Sequence, residues 1–300
     1  MNILILGGNG FIGKNMGKYL SKRGYYVTSF DISQPESIED NIQYVKGDFF
    51  NIKDLNSIVE NKDIVIHAIS TINPGNSNMK YMQGYTGDFI QSIKLAELSL
   101  IYKFKLIYLS SGGTVYGNQE KMPILEDTLP LPVNHYGNLK LCVENTFRTF
   151  NIQTGSVIKI VRIANPYGPG QDYLKGVGFI DAALKKALNN EKISIFGDGS
   201  VIRDYIYIDD VCKMLEQVIL YSGGIDVFNI GTGIGTSQKE IISIIENLFN
   251  IISVEYLPAR TIDVPKIVLD NSRICKLYDG ECIDIRNGIY KYYSYMIDLQ

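Results

Sequence analysis

The sequence of 300 residues has no tryptophan and only two histidines, and its charges are nearly balanced, with 29 Lys and Arg against 32 Asp and Glu. The net charge of −3 lacks the basic excess with which proteins bind nucleic acid or an anionic membrane. We therefore expect neither nucleic acid nor a membrane among its partners. Any phosphate that the protein binds must be held by local groups.

Cysteine is also scarce and shows no CxxC pairing. The four cysteines are scattered at Cys142, Cys212, Cys275 and Cys282. This pattern favours free, buried thiols in a reducing compartment over a disulfide framework. His67 and His135 have no second ligand at metal-binding spacing, so we predict no metal site.

Long apolar runs are missing as well. No segment approaches the roughly 20 uninterrupted apolar residues of a membrane-spanning helix. The chain runs from Met1 directly into an apolar segment, without a charged leader. We therefore expect a cytoplasmic protein that is neither secreted nor membrane-spanning.

Short apolar runs alternate with longer helical patterns through the first half of the chain. The runs are rich in β-branched residues, which is typical of strands buried on both faces. They lie at residues 3–6, 27–30, 42–45, 64–69, 106–109 and 157–161, and the helical patterns lie at 12–22, 53–59, 79–102 and 136–150. This alternation predicts an α/β fold of the Rossmann type, a doubly wound parallel sheet with helices on both faces.

The rhythm changes after Asn165, where Gly and Pro cluster in residues 166–170. Beyond this point, helices are predicted at residues 177–188, 210–220 and 237–249, with short strands near 194–196, 205–208 and 254–256. We predict a dinucleotide-binding Rossmann domain at residues 1–165. A smaller α/β substrate-binding domain is predicted at residues 166–300, with segments that return to the Rossmann domain.

A glycine-rich stretch, residues 7–13, follows the first apolar run and precedes the first helical pattern. Gly7 permits a tight turn, Gly10 lets a pyrophosphate approach bare backbone, and Gly13 lets helix and strand pack closely. The free N–H groups and the positive end of the helix then favour an anion. We predict a dinucleotide-binding loop rather than a simple glycine-rich turn.

Two acidic residues end the next two predicted strands. Asp31 lies about 20 residues beyond the loop, where a carboxylate accepts hydrogen bonds from the adenosine ribose and would repel a 2′-phosphate. The sequence therefore predicts NAD rather than NADP. Asp48 is predicted to reach the adenine, although a helix N-cap is the alternative for an aspartate in this place.

Tyr136 and Lys140 open a predicted helix, and their i, i+4 spacing puts the phenol and the ammonium on one face. A phenol with a pKa near 10 is a poor base at neutral pH, so its anion must be stabilised. A neighbouring ammonium and a cationic nicotinamide ring would both stabilise it. We predict that this pair performs chemistry on the cofactor.

Together these patterns resemble the extended short-chain dehydrogenase/reductase family, in the nucleotide-sugar epimerase/dehydratase branch typified by UDP-glucose 4-epimerase. The resemblance covers nearly the whole chain and follows an ordered series of motifs. They are the glycine loop, His67-Ala68-Ile69, residues 110–117, the Tyr136 and Lys140 pair, and residues 162–168, 195–199 and 203–206.

The resemblance implies that Tyr136 exchanges a proton with a sugar hydroxyl while hydride moves between that carbon and the nicotinamide. It implies that Lys140 binds the nicotinamide ribose and lowers the pKa of the tyrosine. The further implied cofactor contacts are Phe11, Ile12, Phe49, His67, Ala68 and Ile69. The implied nucleotide-sugar contacts are Asn165, Phe179, Phe196, Arg203, Tyr205, Arg260 and Asp263. Core packing is the alternative for Phe196, and a surface charge is the alternative for Arg260.

Gly112 departs from the family pattern, which places a Ser or Thr there to hold and polarise the sugar oxygen. The nearest hydroxyls are those of Ser111 and Thr114, and Thr114 shares a face with residue 112 if the segment is extended. We predict both as catalytic residues, with Thr114 compensating for the missing hydroxyl. Water in the gap and a weaker proton relay are the alternatives.

The same segment separates the reactions of the family. Its dehydratases and decarboxylases place acidic residues where this chain has Gly113 and Thr114, so dehydration is disfavoured. The expected reaction is 4-epimerisation of a UDP-hexose or UDP-N-acetylhexosamine through a transient 4-keto sugar. The alternatives are NADH-dependent reduction of a nucleotide 4-keto-6-deoxysugar and a catalytically weak NAD-binding sensor. By family analogy a homodimer is expected, formed by the helices at 79–102 and 136–150.

Overall fold

The computed structural model describes residues 1–249, 251–260 and 263–298. The strands are β1 (Asn2–Leu6), β2 (Tyr26–Asp31), β3 (Ile42–Lys46), β4 (Ile64–His67), β5 (Lys105–Ser111), β6 (Ile158–Ile163), β7 (Asn165–Tyr167), β8 (Ile193–Phe196), β9 (Ile202–Tyr207), β10 (Val227–Ile230), β11 (Gly235–Ser237), β12 (Val254–Leu257) and β13 (Lys266–Ile267). The α-helices are α1 (Phe11–Lys22), α2 (Ile52–Val59), α3 (Ser77–Gln83), α4 (Ile90–Tyr102), α5 (His135–Thr154), α6 (Phe179–Leu188), α7 (Ile208–Leu220), α8 (Gln238–Glu246), α9 (Ser272–Cys275) and α10 (Ile285–Asp298).

The main sheet has seven strands in the order β3-β2-β1-β4-β5-β6-β10, and every neighbouring pair is parallel. The chain winds outward in opposite directions from β1 and β4, so the carboxyl ends of these two strands flank the crevice in which this fold binds ligands. The predicted Rossmann-type fold is confirmed. Each of the six apolar runs predicted as strands contributes to this sheet, because helices cover both faces and favour apolar residues there.

The seventh strand, β10, was not predicted, and it comes from the second half of the chain. Val227 pairs with Ile160 and Ile230 with Ile163, so β10 adds to the edge of β6. The predicted boundary after Asn165 falls within β7. The division into residues 1–165 and 166–300 stays a prediction, and residues 250, 261, 262, 299 and 300 of the second part lie outside the described ranges.

A single helix was predicted over residues 79–102, but three consecutive helical segments occupy this region. Helix α3 has non-helical dihedral angles at Lys80, and a π-helix at Gly84–Phe89 connects α3 with α4. A π-turn contains an extra residue, so it changes which side chains face the interior. Here Asp88 is 5% exposed, within a helix whose hydrophobic pattern gave no sign of a buried carboxylate.

A smaller layer covers the carboxyl edge of the main sheet. Strand β9 pairs with β7, β11 and β13, and β8 pairs with β12. Helix α8 begins with a capping box, in which the side chains of Ser237 and Glu240 each accept a hydrogen bond from the backbone N–H of the other residue. Helix α10 was not predicted, and its buried Ile289 and Tyr292 join the same core as the β9 layer.

The four cysteines are free, as expected, but the expectation that they are buried is wrong for Cys275, which is exposed; only Cys212 is fully buried. Among the described residues, no helix combines the length and apolar character needed to cross a membrane.

Candidate active site

The glycine loop connects β1 to α1. Gly7 has φ +84°, a left-handed conformation that residues with a side chain rarely adopt, and a Cβ on Gly13 would collide with the carbonyl oxygen of Gly7. Helix α1 starts after Gly10 with no side-chain cap and no acidic residue in its first turn. Its first N–H groups are therefore available to an anion, and the loop fits a dinucleotide pyrophosphate.

Asp31 ends β2 beside this loop. Its carboxylate accepts hydrogen bonds from the backbone N–H of Asn9 at 3.1 Å and of Ser33 at 3.0 Å. These donors fix the carboxylate, which keeps lone pairs for ribose hydroxyls. Asp48 instead accepts from the backbone N–H of Phe50 at 2.9 Å, a local turn ahead of α2. Aspartate side chains commonly form such a turn by accepting from the backbone N–H two residues later. The N-cap of helix α2 is Asn51, not Asp48.

Phe49 and His67 form a buried aromatic group beneath the site, and neither residue lines the central cavity. His67 is 1% exposed, its ring lies 5.0 Å from that of Phe49 and 5.3 Å from that of Tyr108, and its Nε2 is 2.9 Å from Ser92 Oγ. Burial, together with the nearby charge of Lys140, lowers the pKa of His67 to about 3. The ring is therefore neutral at physiological pH. Of the neighbouring residues, Ala68 lines the cavity and Ile69 does not.

Tyr136 and Lys140 lie on the first turns of α5, which is capped by the Asn134 side chain accepting from Gly137 N–H at 2.8 Å. Lys140 is 4% exposed, its Nζ donates to the carbonyl oxygen of Leu109 at 3.0 Å, and it lies 5.6 Å from the centre of the Tyr136 ring. Burial lowers the pKa of Lys140 to about 8.

The pKa of Tyr136 is shifted upward, opposite to the lowering expected from the lysine. Burial is the main cause, and the charge of Asp88 adds to it. The Lys140 ammonium is directed to a backbone carbonyl, so it does not offset these two effects. A phenolate at Tyr136 therefore requires a further positive charge close to the ring.

Asp88 is a site residue that the sequence did not indicate. Its carboxylate accepts from the backbone N–H and the hydroxyl of Thr71, both at 2.8 Å, and from the Ser70 hydroxyl at 3.1 Å. Its charge raises the pKa of Lys140, which opposes the effect of burial. The π-helix thus brings a negative charge beneath the tyrosine and lysine pair.

The segment after β5 forms a turn, so the premise that Thr114 shares an extended face with residue 112 is wrong. The N–H groups of Thr114 and Val115 both donate to the carbonyl oxygen of Ser111, at 3.2 and 3.0 Å. Ser111, Gly113 and Thr114 line the cavity, and Gly112 does not. A Cβ on Gly112 would collide with the side chain of Leu269, which explains the glycine.

The hydroxyl of Thr114 is buried and has no hydrogen-bond partner among the described residues. Beneath the segment, Arg162 forms a buried ion pair with Glu144 at 2.6 Å and donates to the hydroxyl of Tyr116 at 2.9 Å. Ser110 donates to Glu144 as well. These contacts hold the Thr114 segment against α5 and β6.

The residues predicted for the nucleotide sugar lie mostly together. Those that line the cavity are Asn165, Phe179, Arg203, Tyr205, Arg260 and Asp263. Phe196 is outside its lining, but the Arg260 guanidinium carbon lies 4.3 Å from the centre of the Phe196 ring. Arg260 also donates to Asp263 at 3.0 Å. The 4.3 Å distance between the Arg260 guanidinium carbon and the centre of the Phe196 ring is within the range of a cation–π contact.

One cavity of about 560 Å³ joins these groups. It extends from the glycine loop past Tyr136 to Arg203 and Arg260. On one side, residues 70, 72–75 and 176–180 contribute to its wall, and Asn73 Nδ2 donates to the carbonyl oxygen of Lys175 at 2.8 Å. A cavity of this size accommodates an elongated polar ligand beside the N-terminus of α1. Within residues 1–249, 251–260 and 263–298, no group of three or more His, Cys, Asp or Glu side chains is placed to hold a metal ion.

A family model described as the NAD dependent epimerase/dehydratase family matches residues 3–231. The chain is 31% identical over 303 residues to a putative UDP-glucose 4-epimerase of Methanocaldococcus jannaschii, covering 98% of each protein. It is 34% identical over 263 residues to a dTDP-4-dehydro-6-deoxyglucose reductase of Escherichia coli, covering 83% of this chain and 82% of the relative.

The crystal structure of a UDP-glucose 4-epimerase with UDP-glucose from Thermotoga maritima has the same fold. The TM-score is 0.93 at 29% identity, and the match covers 100% of this chain and 99% of that one. The family match spans the glycine loop, the tyrosine and lysine pair and the residues through β10. The chain therefore belongs to the NAD-dependent epimerase/dehydratase family and is an NAD-dependent enzyme of it.

Proposed function

We propose that this protein epimerises a UDP-hexose or UDP-N-acetylhexosamine at C4 through a transient 4-keto sugar. The observation that carries the proposal is a single cavity shared by the phenol of Tyr136, the unpartnered hydroxyl of Thr114 and the arginines 203 and 260. One end of the cavity offers proton transfer, and the other offers two cations for a diphosphate. The names of the epimerases reported above support this substrate class.

The chain's own groups fit the cofactor as follows. The uncapped start of α1 and Gly10 hold the pyrophosphate, Asp31 binds the adenosine ribose, and Lys140 binds the nicotinamide ribose. NAD, when bound, would supply a reversible hydride acceptor and the positive charge that the Tyr136 phenolate requires.

Tyr136 is the proposed acid and base. Its phenolate removes the proton of the sugar 4-hydroxyl as the C4 hydride leaves, which creates the ketone. Thr114, with Ser111 as the second candidate, donates a hydrogen bond to the same sugar oxygen. After the keto sugar has turned in the cavity, Tyr136 would return the proton to the same sugar oxygen. No atoms are gained or lost over the cycle.

The arginines hold the ligand while the sugar turns. Arg203 and Arg260 pair with the diphosphate, and Asn165 donates from its amide nitrogen. Tyr205 and the Phe196 ring stacked on Arg260 form the pocket for the nucleoside, with Asp263 fixing Arg260. Phe179 contributes apolar wall near the sugar. A firmly held diphosphate lets the keto sugar rotate without dissociating.

A second candidate is NADH-dependent reduction of a nucleotide 4-keto-6-deoxysugar. It is favoured by the 34% identity to the E. coli dTDP-4-dehydro-6-deoxyglucose reductase. The same tyrosine would then protonate the 4-oxygen in one direction only, and the cofactor would exchange with solution. No acidic side chain stands at Gly113 or Thr114, so dehydration stays disfavoured.

Incubation of the purified protein with UDP-glucose distinguishes the two reactions. We expect UDP-galactose to form, measured by chromatography, with no net change in NADH absorbance. Tyr136→Phe should lower turnover about 1,000-fold, because the proton acceptor is lost. Net NADH consumption with a 4-keto-6-deoxysugar substrate, and no epimer from UDP-sugars, would favour the reductase. Bound NAD without turnover of any nucleotide sugar would favour a sensor.

We also propose that two copies of the chain associate through α3, α4 and α5. The apolar side chains on α3 and α4 support this, because Met79 is 81%, Met82 58%, Ile90 45% and Ile101 67% exposed. The cytoplasmic location stays a prediction.

A further inference from the structure

Gln171 is a buried residue in the wall of the cavity, in the loop between β7 and α6. Only 9% of it is exposed, and it is one of the residues that line the cavity. The sequence gave no reason to single it out. A buried amide needs partners for both of its ends, because an unpaired polar atom away from water is costly.

The hydrogen bonds define which end of the amide is which. Nε2 donates to the carbonyl oxygen of Pro166 at 3.1 Å. That carbonyl can only accept, so the end facing it must be the NH2 group. Oε1 is therefore the opposite end, and it has no donor among the residues that the structure describes. Gln171 thus lines the cavity and holds a buried acceptor that has no donor within the described part of the chain.

The surroundings hold this side chain in one place. Gly178 has φ +97°, and a Cβ on it would lie 2.7 Å from the Gln171 amide carbon, so the glycine leaves the space that the amide fills. The backbone carbonyl oxygen of Gln171 accepts a hydrogen bond from Lys185 Nζ at 3.0 Å. Lys185 is in turn paired with Asp181, which is 0% exposed and also accepts from Tyr292.

The position along the wall indicates which part of a ligand meets Oε1. Pro166, the partner of the amide, follows Asn165, and a Cβ on Gly113 would lie 3.4 Å from Asn165 Oδ1. The Gln171 amide is therefore connected through Pro166 and Asn165 to the turn that contains Gly113. Diphosphate oxygens are acceptors and cannot satisfy Oε1. The donors of a nucleotide sugar near the catalytic segment are the sugar hydroxyls.

We propose that Gln171 is a specificity-determining residue whose Oε1 accepts a hydrogen bond from a hydroxyl of the sugar ring. This assignment rests on the proposed function, because it takes the ligand to be a nucleotide sugar. The nicotinamide carboxamide carries the same kind of donor, and the experiment separates the two sources. A sugar without a donor at this position would leave the buried acceptor unpaired and would bind more weakly.

The test is calorimetric binding of UDP-glucose and of UDP to the NAD-loaded protein. Gln171→Met keeps the side-chain length and removes the acceptor. The matched control is Gln238→Met, because Gln238 Oε1 is also buried without a partner but does not line the cavity. We expect Gln171→Met to weaken UDP-glucose binding about 10-fold, to leave UDP binding unchanged and to leave NAD affinity unchanged. Gln238→Met should change none of the three.

Deoxy analogues of UDP-glucose identify the hydroxyl. The analogue that lacks the paired hydroxyl should bind the wild type and Gln171→Met equally, whereas the other analogues keep the difference. Equal affinity of the two proteins for UDP-glucose, an equal loss for UDP, or a loss of NAD affinity alone would each overturn the assignment. A wild type that binds neither UDP nor UDP-glucose would contradict the proposed function itself.

Discussion

Thr114 and Gly112 show how two neighbouring residues can have different tasks in one turn. Gly112 faces Leu269, and a side chain at residue 112 would require the Leu269 side chain to move. Thr114 lines the cavity with a buried hydroxyl that lacks a partner. We therefore predict that Thr114 supplies the hydroxyl that the family pattern places at residue 112.

Thr114→Val is expected to lower kcat by about 100-fold, because the substitution keeps the shape and removes the hydrogen bond to the reacting oxygen. The matched comparison is Ser111→Ala, for which a smaller loss is expected. Steady-state turnover of UDP-glucose measures both. Unchanged turnover in Thr114→Val together with a lost activity in Ser111→Ala would show that Ser111 is the catalytic hydroxyl.

Lys140 provides a pH-dependent signal. Its pKa is about 8, so the ammonium is present below that pH and is lost above it. We therefore expect kcat/KM to fall as the pH rises through about 8. In Asp88→Asn the stabilising negative charge is gone, the pKa of Lys140 falls further, and the decline should begin at a lower pH.

The control for the pH profile is Asp40→Asn, which removes an exposed carboxylate in the loop before β3. It should leave the decline in place. An Asp88→Asn profile that coincides with that of the wild type would mean that Asp88 acts only by holding Ser70 and Thr71.

At the scale of elements, one lysine connects a strand with the end of a helix. Lys105 of β5 donates to the carbonyl oxygens of Val218, Ile219 and Tyr221, at 2.8, 2.7 and 2.6 Å. These are carbonyls at the end of α7, which have no partners within the helix. Lys105 therefore joins α7 to the main sheet.

Lys105→Met should lower the free energy of unfolding by about 1–3 kcal/mol, because the three carbonyls lose their donor. Chemical denaturation measures the change. Lys103→Met is the control, since Lys103 is exposed and makes no side-chain hydrogen bond among the described residues, and it should change stability by less than about 0.5 kcal/mol. Equal effects of the two substitutions would contradict a capping role for Lys105.

At the scale of the whole molecule, the exposed apolar side chains of α3 and α4 determine the predicted assembly. Light scattering should give twice the chain mass of 33.7 kDa. Met82→Glu should shift the protein towards the monomer, because a carboxylate would be buried in the interface. Ile38→Glu, which changes an exposed side chain in the loop before β3, should not. A monomeric wild type would contradict the homodimer.

Local patterns were enough for much of the fold. Apolar β-branched runs predicted six strands of the main sheet, because a strand covered on both faces is mostly apolar. They did not indicate β10, because its apolar run Val227–Ile230 is interrupted by Asn229, which is polar and yet buried in the structure. The π-helix was missed because the helical period continues on both sides of it.

The sequence by itself determined the cofactor loop, the tyrosine and lysine pair and the family pattern, because each depends on residues close together in the chain. Contacts between distant residues decided the rest. Leu269 packs against residue 112, the π-helix places Asp88 beneath Lys140, and the Pro166 carbonyl orients Gln171. Burial shifts the pKa values of Tyr136 and Lys140, and the hydrogen bond to Pro166 leaves Gln171 Oε1 without a donor among the described residues. Both effects arise only when the chain is folded.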